Sequence, residues 1–156
     1  MERLIKELLK MIAQEVKSLE RFLALLLDQE NLLLSNGFSS LCESSKRQRQ
    51  ALSAAQSLER KRLQITDRLS KKLKIDKNRF DLSLLPDLLE ESYSAKIREV
   101  QEALLDLCRK VEIQREKNQK LIRESQGFVA ARKKAGSSRL IPVRLAAKAD
   151  RDERRI

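Results

Sequence analysis

Ile5, Ile12, Leu19, Leu26 and Leu33 recur every seven residues, and Leu9, Val16 and Leu23 form a second apolar row four residues after the first three. A seven-residue period gathers these side chains on one side of an α-helix and has no counterpart in the two-residue alternation of a strand. The spacing predicts one helix from about Glu2 to about Leu34, roughly 50 Å long. An apolar stripe of that length needs partners of similar length, so the feature points to a bundle or coiled coil. "LLSNGFSSL" closes the helix: Asn36 and Gly37 suit the left-handed conformation at a helix end, and Ser39 or Ser40 suits the cap of the next.

The second helix is expected over 39–73, with a thinner apolar face of Leu41, Leu52, Ala55, Leu58, Ile65, Leu69 and Leu73. Between Leu41 and Leu52, "CESSKRQRQA" offers little to bury, which suits an open end of the bundle or a face turned to another chain. "KIDKNRFDLS" reads as a connector, since its Asp, Asn and Ser residues favour turns. "SLLPDLLEES" predicts a short helix over 84–91, capped by Ser83 and with Pro86 in its first turn. A last long helix is expected over 94–131, with Ile97, Val100, Leu104, Leu107, Cys108 and Val111 as its spine. Short turns between long amphipathic helices imply antiparallel neighbours. The expected fold is therefore all-α: an elongated antiparallel three-helix bundle or coiled coil over 1–135, with a short extra helix in the second crossover and a flexible, basic C-terminal tail over 136–156. A second copy of the chain is one candidate to complete the thin stretches.

Composition excludes most chemistry. There is no His, and Cys42 and Cys108 stand far apart, which leaves no zinc spacing and no His-based base or triad. Both cysteines are expected as buried, reduced thiols on apolar helix faces. The carboxylates Glu90, Glu91, Glu99 and Glu102 fall among Lys and Arg at solvent-facing positions, and the three glycines are isolated rather than grouped as a phosphate loop. No enzyme activity and no cofactor are expected. Charges run through the N-terminal segment, so it lacks the apolar core of a signal peptide, and no apolar run is long enough to span a membrane. These features point to a cytoplasmic protein.

The net charge of +11 is uneven, with +6 contributed by residues 132–156 and +5 by residues 1–131. "KRQR", "RKR", "KKLK" and "RKK" are possible phosphate contacts. Against nucleic-acid binding, the basic residues of the second helix are spread around it, and aromatic stacking residues make up only 3% of the chain. In the tail, "RLIPVRL" gathers Leu140, Ile141, Val143 and Leu145 around a proline, a cluster suited to ordering on a protein partner.

The stretch "QREKNQKLIRESQGFV" places polar residues where a core belongs. The heptad register from Leu104, Leu107 and Val111 continues to Gln114, Asn118, Leu121, Ser125 and Phe128, and Gly127 weakens the last turn. Taken with "LLLSNGFSSLCESSKRQRQALSAAQSLERKR" and "LKIDKNRFDLSLLPDLL", it resembles the FlgN-like family of flagellar export chaperones along nearly the whole chain. Lys46, Glu59 and Arg62 fit the family's second-helix pattern. Asn118, Leu121, Ile122, Ser125, Phe128 and Val129 fit its late signature. The chain differs in having Arg115 where members often carry Asn, and Tyr93 as its only tyrosine in place of one following the last helix.

The resemblance implies a chaperone without ATP chemistry that escorts hook-filament junction proteins to the export apparatus. It implies partner binding through Asn118, Leu121, Ile122, Ser125, Phe128 and Val129. The tail cluster of Leu140, Ile141, Val143 and Leu145 joins them as the chain's own apolar partner-seeking segment. On this reading Asn118 and Ser125 thin the seam so that the bundle end can open to a client helix, and Asn118→Leu stabilises the bundle. On the alternative reading, Asn118 sets helix register. Three rival functions remain at this stage: the coiled-coil stalk of the export ATPase, a basic helical nucleic-acid binder, and a plain coiled-coil tether.

Overall fold

A computed structural model describes residues 1–134, with side-chain surroundings through Gly127. The order is α1 (Glu2–Leu34), α2 (Leu41–Leu73), α3 (Leu85–Leu88) and α4 (Glu91–Lys134), with 3-10 turns at Phe38–Ser40 and Leu82–Leu84 leading into α2 and α3. There is no strand among the described residues. The all-α expectation holds, and α1 has the bounds its heptads predict. α2 begins at Leu41 rather than 39 because Phe38–Ser40 wind as a tighter turn, and Ser40 precedes it without a side-chain capping bond. α4 outruns 94–131 at both ends and continues through Gly127, so this glycine does not end it.

The α1 terminus closes through backbone bonds that its sequence allows. Asn36 takes the left-handed conformation at φ 56°, whereas Gly37 sits at φ −77°. Gly37 N–H donates to the Leu32 carbonyl at 2.8 Å, which occupies a helix-end acceptor that no backbone N–H within the helix reaches. α2 ends the same way, with Lys74 at φ 56° and Ile75 N–H donating to the Ser70 carbonyl at 3.0 Å. In the crossover the expected Ser83 cap is replaced by Asp81, whose carboxylate accepts from Ser83 N–H at 3.4 Å and from Ser83 Oγ at 3.0 Å. Pro86 lies in the first turn of α3, as expected, and α3 is only four residues long.

α1 is the central element, and α2 and α4 both pack along it. α2 returns antiparallel to α1, while α4 runs parallel to it. Tyr93 Oη donates to Glu2 at one end, and Asn118 reaches the Leu26 carbonyl near the other. At that offset α1 ends opposite about residue 125, and the last two turns or so of α4 extend past the α1–α2 turn. The larger core lies at the end where α1 begins. There Ile5, Leu8 and Ile12 meet Ile65 and Leu69 of α2 and Ile97 of α4, and Leu85 of α3 closes the base. A smaller cluster of Phe22, Leu26, Ala51 and Val111 lies toward the turn end.

The buried rows of α1 differ from the expected pair. Ile5, Ile12, Leu26 and Leu33 are buried as predicted, but the second buried row is Leu8, Glu15, Phe22 and Gln29. Leu9, Val16 and Leu23 are half-buried on its flank. Two polar residues in the inner row concealed it from a count of apolar positions.

Candidate partner-binding surface

Glu15 and Gln29, two heptads apart on the same buried row of α1, mark two polar layers, the first meeting α2 and the second α4. In the first, Glu15 of α1 meets Arg62 of α2: Arg62 Nε donates to Glu15 Oε2 at 2.7 Å and Nη2 approaches Oε1 at 3.5 Å. The side chains are only 8% and 11% exposed, and Glu59 stands 4.0 Å from the same guanidinium. Burial pushes the Glu15 carboxyl above its ordinary range, and the Arg62 bond opposes that shift.

The second layer joins α1 to α4 around Asn118, which is 2% exposed. Asn118 Nδ2 donates to the Leu26 carbonyl at 2.7 Å and to Gln29 Oε1 at 2.9 Å, and its Oδ1 accepts from Gln114 Nε2 at 2.9 Å. Gln114 also donates to Glu30 Oε2 at 2.6 Å, and Lys117 pairs with Glu30 from the rim. These two partners, Lys117 first, hold the Glu30 carboxyl below its ordinary range.

The partner-binding residues predicted on α4 divide between the bundle interior and the distal end of the helix. Asn118 is a saturated hub inside the bundle, with both amide hydrogens and its oxygen engaged, and in this state it offers no polar atom to a partner. The seam is short of apolar residues, as its sequence indicates, but hydrogen bonds close it. Leu121, Ile122 and Ser125 follow within two turns and are half-buried near the level of the α1–α2 turn. Phe128 and Val129 belong to the last turns of α4, and their side chains lie outside the described residues. Leu140, Ile141, Val143 and Leu145 also lie outside the described residues.

Cys42 is exposed rather than buried, because it stands on the outer side of the first turn of α2. Cys108 is half-buried within electrostatic reach of Glu15, Arg62 and Glu59, and desolvation raises its thiol pKa. Glu90, Glu91, Glu99 and Glu102 are exposed, as expected for a solvated helix surface. No group of three or more His, Cys, Asp or Glu among the described residues is placed to hold a metal. No described helix is long and apolar enough to cross a membrane.

The sequence reading missed exposed apolar side chains on the flanks of the helices. Leu63 of α2 is 51% exposed and Leu105 of α4 is 52% exposed. Each directly follows a seam position, Arg62 or Leu104, and its heptad place was the available signal. Leu34 and Ile113 are also exposed.

The family model described as FlgN protein matches residues 1–133. No curated protein and no solved structure matches the chain.

Proposed function

The chain belongs to the FlgN protein family, a family of flagellar export chaperones, and from that premise we propose that it holds hook-filament junction proteins in the cytoplasm before their export. The family match over residues 1–133 is the observation that carries this reading. The distal part of α4 supports it: half-buried Leu121 and Ile122 follow a polar layer, near the level where α1 ends.

The proposed mechanism is holding through apolar helix–helix contact, with no ATP and no cofactor. A client helix packs on the distal face of α4, where Leu121, Ile122, Phe128 and Val129 supply apolar area. Asn118 and Ser125 keep that end of the seam polar enough to part. The segment containing Leu140, Ile141, Val143 and Leu145 adds apolar contacts to the client. The basic tail speeds association with an acidic surface, an effect that salt weakens.

The test is capture of co-expressed hook-filament junction protein on the full chain at about 0.1 M and about 0.5 M salt, since phosphate contacts collapse over that range and apolar contacts persist. Retention at both salts is the expected result. Recovery of nucleic acid alone, lost at the higher salt, overturns the proposal.

A further inference from the structure

α2 and α4 each lie along α1 but make little close approach to one another. The side of α2 turned toward α4 carries Leu52 and Glu59, and the facing side of α4 carries Cys108 and Ile122. All four are half-buried. The electrostatic neighbours of Cys108 include Arg62 and Glu59 of α2, which places it across the gap from them. One helical turn from Glu59 stands Leu63, and one turn from Cys108 stands Leu105, so the two exposed leucines flank this gap. The result is a longitudinal groove with an apolar rim at mid-height.

Its two walls differ in charge. α2 holds nine Lys/Arg against three Asp/Glu. Asp67 pairs with Lys71 and Lys77, Glu43 with Arg47, and Glu59 lies beside Arg62. On the outer wall of α2, Lys46, Arg49 and Arg60 are exposed and have no carboxylate within ion-pair distance among the described residues. The corresponding wall of α4 carries Arg98, Glu102, Arg109, Glu112, Glu116 and Arg123, a mixed face on which the charges balance.

We propose that the groove between α2 and α4 docks one amphipathic helix of a partner protein, with its apolar stripe on Leu63 and Leu105 and an acidic flank toward Lys46, Arg49 and Arg60. The docked helix turns its other flank, of no required charge, to the mixed wall of α4 and stands where a fourth helix would complete the bundle. This deepens the chaperone reading and rests on it, because it states which kind of client helix the chain selects.

The test uses a labelled synthetic amphipathic helix of about 21 residues, three heptads, with Leu at its seam positions, Glu on one flank and Lys on the other. A control peptide replaces each Glu by Lys. Fluorescence anisotropy with the full chain is expected to show the Glu-flanked peptide binding at least tenfold tighter than the control and slowing alkylation of Cys108. Arg49→Glu with Arg60→Glu is expected to reverse the preference, and Leu63→Ser with Leu105→Ser to weaken both peptides at least tenfold.

Equal affinity for the two peptides overturns the proposal, as does binding that survives Leu63→Ser with Leu105→Ser. So does a dimer that dissociates on those two substitutions while no peptide binds, since the groove then belongs to a second copy. Junction-protein capture that withstands all four substitutions sinks the groove and leaves the chaperone function. Peptide binding without capture does the reverse.

Discussion

At the scale of single residues, the two polar layers respond differently to mutation. Arg62→Met strands a carboxylate that is 8% exposed, and the expected loss is about 3–5 kcal/mol in urea unfolding. Glu15→Leu combined with Arg62→Met removes both charges and is expected to recover most of that loss, because apolar packing replaces two desolvated ions. Asn118→Leu leaves Gln29 Oε1 without its donor and Gln114 with one partner fewer, so it is expected to cost about 1–3 kcal/mol rather than stabilise. Replacing Gln29, Gln114 and Asn118 together with Leu removes the unpaired groups and reverses the sign in the same assay. Acid separates the layers as well. Glu30 has a folded-state pKa below its ordinary 4.5, so its contribution is present above 4.5 and is lost as pH falls through the folded value. Glu15 is shifted upward, so its contribution is full below 4.5 and is lost as pH rises through its folded value. Unfolding followed from pH 7 to pH 3 is therefore expected to show an acid-side loss that Glu30→Gln reduces and Glu15→Gln does not.

At the scale of elements, the helix ends carry the strain that can be relieved. Lys74 sits at φ 56°, a conformation that costs a side-chain-bearing residue about 1–2 kcal/mol. Lys74→Gly is expected to raise stability by roughly 1 kcal/mol, less whatever the freer unfolded chain takes back. Gly127 lies inside α4, and a Cβ there meets nothing within 4 Å. Gly127→Ala is expected to strengthen the distal helix by up to about 1 kcal/mol, read as slower amide exchange over residues 120–127. If client capture depends on opening this end, the same variant binds more weakly; unchanged capture leaves opening without a role. The helices themselves were readable because heptad period and turn residues act locally. Asp81 displaced Ser83 as the crossover cap because either side chain fits the local sequence, and the folded backbone selects between them. The inner row of α1 was not readable from apolar residues alone, because Glu15 and Gln29 are core residues only by virtue of Arg62 and Asn118 on other helices. The leucines beside the groove escaped for a related reason: a lone exposed leucine is unremarkable until its neighbour across a gap is known.

At the scale of the whole molecule, apolar burial is graded along the long axis. The base holds Leu8, Ile12, Leu69, Leu85 and Ile97, all at 0% exposure, whereas the turn end relies on a smaller cluster and the Asn118 layer. Amide exchange is expected to be slowest around Ile5–Ile12 and Ile65–Leu69 and to quicken toward Leu33 and Leu121, because local opening is easiest where less apolar area is lost. A uniform protection pattern would contradict a graded bundle. The gradient explains how much of the distal site could be read in advance. The polar seam of α4 announced a weaker end, but whether its amides were satisfied depended on α1 side chains some 90 residues away in sequence.

The placement of the two polar layers has a mechanical consequence. One ties α1 to α2 and the other ties α1 to α4, and neither joins α2 to α4. Neither layer therefore resists a change in the separation of α2 from α4. That distance is left to apolar packing, firm at the base where Ile65 and Leu69 share a core with Ile97 and slacker toward the turn end, with α1 as the spine about which the outer helices splay.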